Sequence, residues 1–257
     1  MKKLIFIAIV VICMSDAFGQ RWDLGSSFNY ARPVGSMARN IDNGFGITLE
    51  GARILKNVPF SIGAELAYNA YGYDKTRQQY TFDDGSVTDT YVVVTNSFTN
   101  LLVTGKFFLR NTKLINPYLS GKLGYSWYRT LLTIEDPEDE DGCHPLESDK
   151  LLKDGTFVAS GGAGVRADFS SVFRKMKSNT LFLDLSVHMT QGGTVQYMNV
   201  DKPSQQTPDS DVMVKFINPK TQVIHEHHVG NIYSSLVEMI EYRFGVVFRP
   251  LGRRSND

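Results

Sequence analysis

Phe60-Ser61-Ile62-Gly63-Ala64-Glu65-Leu66-Ala67-Tyr68-Asn69 decides the fold. Phe60, Ile62, Ala64, Leu66 and Tyr68 fall on one side of an extended chain, and Ser61, Glu65 and Asn69 on the other. That is the two-residue period of a strand with one apolar and one polar face. The same pattern recurs along the chain, with almost nothing at helical spacing. Strand one is predicted at about 22–31 (Trp22, Leu24, Phe28 and Tyr30 against Asp23, Ser27 and Asn29). The others follow at about 44–54, 60–73, 90–110, 117–133, 156–170, 180–198 and 233–249. The last of these sets Ile240, Tyr242, Phe244, Val246 and Phe248 against Glu241 and Arg243.

Alternation alone also suits a soluble sandwich, so connection lengths decide between the two. Lys56 to Pro59, Asn111 to Asn116 and Ser171 to Asn179 are short connections. The intervening ones are mostly longer: Gly35 to Asn43, the tip near Asp83 to Ser86, Ile134 to Gly155 and Asn199 to Ile232. Short turns alternating with long loops are the mark of an outer-membrane barrel, with both termini in the periplasm. Aromatics fall at both ends of the apolar faces: Trp22, Phe60, Phe107, Phe169 and Phe248 at one, Tyr30, Phe45, Tyr68, Trp127 and Phe157 at the other. Two such girdles fit the two membrane interfaces. The expected fold is therefore all-β, a membrane-spanning antiparallel up-and-down β-barrel of eight strands. Ten strands is the second reading, in which Val212 to Ile217 and Gln222 to Val229 enter the wall; their short length places that hairpin outside it.

The N-terminus agrees with export. Lys2 and Lys3 precede the apolar run Leu4 to Met14, and Ala17-Phe18-Gly19 offers small residues for cleavage. A signal peptide is expected over 1–19 and the barrel domain over 20–257, with long outer loops at about 135–155 and 199–232. Val10-Val11-Ile12 lacks the small residue that a lipidated Cys13 requires. The 27 basic and 27 acidic residues balance, so no electrostatic footprint points to nucleic acid. Beyond the leader only Cys143 remains, which excludes an intrachain disulfide.

The run Asn29-Tyr30-Ala31-Arg32-Pro33-Val34-Gly35, with Asn40 to Gly46 and Leu49-Glu50-Gly51, resembles the opening of small outer-membrane β-barrel proteins in the broad OmpA/OmpX-like grouping. Tyr71-Gly72 and Asn116-Pro117-Tyr118 fit as well. Arg243 to Phe248 is similar to the final-strand signal of that grouping, although this chain continues to Asp257. The resemblance implies a fold and insertion by the barrel-assembly machinery, not an activity.

In an eight-stranded barrel the polar faces fill the interior. Glu50, Glu65, Asp184 and Glu241 are expected to form a salt-bridge network with Lys106, Lys122, Arg166 and Arg243, because a buried charge without a partner is very costly. A plug is favoured over a narrow pore. Candidate metal ligands are the carboxylates of the acidic loop (Glu135, Asp136, Glu138, Asp139 and Asp141) and the pair His225 and His227. The loop fails the calcium-loop pattern, since Pro137 stands at its first position. The histidines share a face if extended but lack identifiable third and fourth ligands. An enzyme on such a barrel, a lipid-modifying enzyme or a protease, is the runner-up class. His188-Met189-Thr190 superficially matches the spacing used by lipid A deacylases, but His188 faces inward and no serine stands at that spacing. No cofactor is expected. The expected function is non-catalytic: outer loops that bind a surface or envelope partner, or an accessory barrel of an envelope or secretion machine. Expected partners are outer-membrane lipid or lipopolysaccharide, the barrel-assembly machinery and an envelope protein or polysaccharide.

Overall fold

Because every second side chain along these segments is apolar, each strand can bury one face in a solvent and the other in an interior, and backbone pairing then sets the architecture. The computed structural model describes residues 22–81, 87–109, 115–135, 147–170, 180–200, 207–217 and 224–250. The segment read as a signal peptide lies outside them. The strands are β1 (Trp22–Pro33), β2 (Gly44–Ile54), β3 (Phe60–Thr81), β4 (Val87–Phe108), β5 (Ile115–Glu135), β6 (Glu147–Asp168), β7 (Leu181–Asn199), β8 (Ser210–Ile217) and β9 (Ile224–Phe248). Neighbours pair antiparallel from β1 through β7, β7 pairs with β9, and β9 returns to β1 with Leu24 opposite Phe248 and Pro33 opposite Met239. The result is a closed eight-stranded barrel. β8 lies outside that count, paired only with residues 224–232 of β9.

About ten tilted residues cross the hydrocarbon core. β1 and β2, with 12 and 11 residues, do little more than cross. β3, β4 and β6 have 22 residues each and run well past. Two expected bounds are corrected here. β6 begins at Glu147, so much of the loop expected over 135–155 is strand. β9 begins at Ile224, so the connection expected over 199–232 contains β8 and the first third of β9. Leu151 and Leu152 of the first segment and Val212 and Val229 of the second pack together, which supports the backbone ladder beyond the membrane.

The short turn after β2 closes through Leu55 N–H donating to the Phe60 carbonyl (2.9 Å), with Asn57 in the left-handed region (φ 63°), where asparagine is tolerated better than most residues. Bulges at Ala70/Gly72, Thr130/Leu131 and Gln191/Thr194 shift the register at the rim opposite the short turns. The first reverses the alternation of β3 beyond it: Tyr71 still faces inward in phase with Asn69, but Tyr73 is turned outward and exposed.

Leu24, Phe28, Phe45, Ile47, Leu49, Leu66, Val103, Leu119, Leu123, Leu185, Phe244 and Val246 are all exposed, and Phe157 is 76% exposed. Asp23, Glu65, Lys106, Lys122, Arg166, Glu241 and Arg243 are buried. In water each such half-exposed side chain would forgo roughly 1 kcal/mol of burial, tens of kcal/mol around the wall. The surface is built for lipid. No described helix is long and apolar enough to cross a membrane; the crossing is made by strands.

Above the membrane the wall parts. β6 pairs with β7 only up to Val158 opposite Gly192, while β5–β6 pairing continues to Ile134 opposite Glu147 and β7–β9 pairing to Asn199 opposite Asn231. Val92, Val94, Leu132, Leu151 and Leu152 from the β4–β6 side pack with Met198, Val200, Val212 and Val229 from the β7–β9 side. The extensions thus form a small two-sheet sandwich over the barrel.

Candidate functional site

The interior is organised by inward positions on all eight strands of the wall. Glu65 of β3 receives Lys122 Nζ of β5 (2.7 Å) and Arg243 Nη1 of β9 (2.7 Å) on the same oxygen. Arg243 also reaches Glu241 through Nη2 (2.5 Å) and Nε (3.2 Å), and Thr190 Oγ1 donates to the other Glu241 oxygen (3.1 Å). Nearer the short-turn end, Arg166 bridges Asp23 (2.5 Å) and Asp184 (2.8 Å). Tyr118 donates to Asp184 (2.6 Å), and Arg249 grips Asp23 through Nε and Nη2 (2.7 and 3.1 Å). Lys106 pairs with Glu50 at 2.6 Å, and Glu50 lies 4.0 Å from Arg166, which attaches this pair to the second group. The structure thus brings together the eight charges named from sequence and adds Asp23 and Arg249. Five carboxylates face five cations, so the lumen is electrically neutral as a unit, the condition under which buried ions are tolerated. Rings flank the cations: Phe108 and Phe182 lie 5.2 and 4.6 Å from the Arg166 and Arg249 guanidinium carbons.

His188 points inward from β7 and meets Ser120 Oγ of β5 at 2.8 Å. The two residues stand on strands that are not neighbours in the wall, so the pair is invisible in the chain. Its Nδ1 has no hydrogen-bond partner in the structure, whereas an activated serine needs its histidine oriented from that side. The polar space beside it, bounded by Glu50, Lys106, Lys122 and Arg243 among others, measures about 20 Å³. A single water needs about 10–15 Å³, so an acyl or peptide substrate does not fit. The arrangement fills and orders the lumen.

Towards the rim opposite the short turns the interior becomes apolar. Phe98 stacks on Tyr128 (5.4 Å between centroids), and Tyr71 and Tyr197 lie within 6.4 Å of this pair. Met37 and Ile41, from the short 3₁₀ turn Met37–Arg39 and its exit, complete the layer with Val237 and Met239. Asn40 Nδ2 donates to the Tyr197 hydroxyl (2.9 Å), tying that turn across the rim. Alternation puts Tyr71 and Phe98 on the inward face, in phase with Asn69 and Asn100, but apolar rings on a face expected to be polar give no signal that they meet in a layer.

Of the candidate metal ligands, Glu135 ends β5 and accepts from Lys75 at 2.8 Å, with that ammonium over the Tyr91 ring at 4.3 Å. The hydrogen bond to Glu135 holds the Lys75 ammonium above its ordinary pKa. Asp136, Glu138, Asp139 and Asp141 lie outside the described residues. His225 and His227 stand on β9 opposite Phe216 and Val214, and their side chains are likewise outside what the structure describes. Among the described residues no group of three or more His, Cys, Asp or Glu is placed to hold a metal.

No protein-family model matches the sequence, and no curated protein matches it. Solved structures do. Neisserial surface protein A (NspA) matches at 8% identity and TM-score 0.45 over 88% of this chain and 96% of its own. A major outer membrane protein from Thermus thermophilus matches at 10% and 0.42 over 90% and 99%. Ail, the attachment invasion locus protein of Yersinia pestis, solved with the heparin analogue sucrose octasulfate, matches at 10% and 0.38 over 90% and 99%. The chain is an outer-membrane-type β-barrel. Its closed eight-strand wall, apolar outside and charged within, carries that statement.

Proposed function

We propose that this protein is a non-conducting barrel of the outer membrane, with termini in the periplasm, whose outer sandwich and loops present a binding surface to an envelope or surface partner. The observation that carries the reading is the contrast between its two ends. The lumen is closed by a neutral ion-pair network and an aromatic layer, leaving a polar space of about 20 Å³. On the other side, strands continue well beyond the membrane and build a packed scaffold that transport does not need. Rigid scaffolds carrying loops are where binding concentrates. Insertion by the barrel-assembly machinery and contact with lipopolysaccharide belong to the same reading. The test has two arms. Purified barrel in planar bilayers should show no steady conductance. Barrel with a photo-crosslinking residue at the exposed position Asp149 should capture one defined partner on intact cells, and replacement of residues 136–146 and 200–223 by short Gly-Ser linkers, with the crosslinker kept at Asp149, should abolish capture while leaving a heat-modifiable barrel. Large stable conductance, or undiminished capture by the linker variant, refutes it.

A further inference from the structure

We infer that the outward faces of β5 and β6 just above the membrane hold the phosphate of a lipid headgroup, through Arg129, Lys150 and Lys153. The inference rests on the outer-membrane reading above and deepens it. Arg129 and Lys153 are directly opposed across the β5–β6 ladder, and Lys150 stands opposite Leu131, the next outward position of β5. All three cations are exposed. Like charges directly opposed on neighbouring strands destabilise a sheet unless an anion lies between them. Every lumen cation named above has a carboxylate, and the outward Lys75 has Glu135. Among the described residues, Arg129, Lys150 and Lys153 make no ion pair. The neighbouring carboxylates are otherwise engaged: Asp154, which sits opposite the inward Tyr128, accepts from the Gly155 and Gln196 amides (2.8 and 2.7 Å), and Asp149 accepts from the Lys150 amide (2.7 Å).

Position identifies the anion. Immediately below Arg129 on the same face of β5 come Trp127 and Tyr125, 5.0 Å apart, with Phe157 of β6 edge-on to Tyr125 at 5.1 Å. Such amphipathic rings mark the headgroup level. Arg129 lies two residues further out than Trp127, roughly 7 Å along the strand, the height of phosphate at a bilayer surface. Directly opposed side chains have Cβ atoms about 5 Å apart, which suits one phosphate gripped by a guanidinium fork and an ammonium.

The test uses the full mature chain in nanodiscs of phosphatidylcholine doped with bis-phosphorylated lipid A, and native mass spectrometry to read retained lipid. With each surface cation contributing about fivefold, Arg129→Gln/Lys150→Gln/Lys153→Gln should weaken retention by about 100-fold. Dephosphorylated lipid A should bind the wild type no better than the variant. Arg129→Lys should keep most of the binding, and millimolar inorganic phosphate should not displace the lipid. Equal retention by the triple variant, equal binding of dephosphorylated lipid, or displacement by free phosphate overturns the inference. The three side chains are exposed, so folding is not at stake, and an unchanged gel shift verifies it. Labelling of Lys153→Cys on intact cells separately tests the orientation. Labelling only after permeabilisation refutes the outer-membrane topology, while the nanodisc result still decides whether phosphate is held.

Discussion

Arg243→Met removes the cation on which the centre of the lumen turns. Its guanidinium makes three hydrogen bonds, one to Glu65 and two to Glu241. Glu65 keeps Lys122, but Glu241 retains only the Thr190 hydroxyl. Removing one partner of a buried pair costs about 3–5 kcal/mol, most of it the charge left behind. Methionine nearly preserves the stem volume, so little of the loss should come from packing. Adding Glu241→Gln neutralises the stranded carboxylate, and the double variant should recover at least half of the loss. Lys75→Met, which breaks an exposed pair outside the barrel, should leave stability unchanged. Urea unfolding in liposomes of fixed composition, followed by the heat-modifiable gel shift, reads all three. A loss for Arg243→Met well below that range, under about 1 kcal/mol with the fold intact, would mean that water screens these charges as it does at a surface. The filled lumen would then be the wrong description.

Three further outcomes test other parts of the structure. Phe98→Ala should cost about 3–5 kcal/mol, the usual range for a buried phenylalanine, measured by the same unfolding assay, because Phe98 stacks at the centre of the outer seal. Gly245→Ala should destabilise by about 1–3 kcal/mol through overpacking, since a Cβ there presses on the Ser26 carbonyl and the Ser27 side chain, whereas Gly121→Ala, whose Cβ meets no atom within 4 Å, should fold like the wild type. In a Cys143→Ser background, cysteine at Pro208 should label with an impermeant maleimide on intact cells and cysteine at Asn57 should label only after permeabilisation; the reverse pattern overturns the topology.

The barrel was legible because a strand has a period of two and lipid accepts no polar face. In Phe60 to Asn69 that alone assigns each side chain to one side of the wall. Alternation is silent on two other matters. It loses phase at a bulge, so the outward turn of Tyr73 is hidden in the sequence, and it does not say that the inward rings of Tyr71 and Phe98 meet in one aromatic layer. It also weakens where both faces leave lipid. Around Glu147 to Asp154 the adjacent apolar residues Leu151 and Leu152 break the period, and the segment reads as loop although it is strand. As for the interior charges, alternation speaks to the side each one faces but not to its partner. Arg166 meets Asp23 across 143 positions, and Ser120 meets His188 across 68. Such meetings depend on the stagger of the whole cylinder. Arg249 escaped notice for a simpler reason: it follows the final apolar run and looks like tail.

Asp23 has a consequence for assembly. Every ladder in the wall but one joins strands near in sequence; the last joins residues 24–33 to residues 239–248 and converts a sheet into a cylinder. A slip of one residue at that seam would turn the apolar row of β1 into the interior, an error that hydrophobicity alone detects. A slip of two residues keeps every side chain on its proper side, so lipid cannot sense it. It would, however, move the Asp23 carboxylate by about 7 Å, out of reach of both Arg166 on β6 and Arg249 at the end of β9. The buried Arg166 and the half-buried Arg249 would then each lose a counterion at once. The carboxylate on the first strand therefore proofreads the final zipping step, rejecting the misalignment that a purely apolar seam would accept.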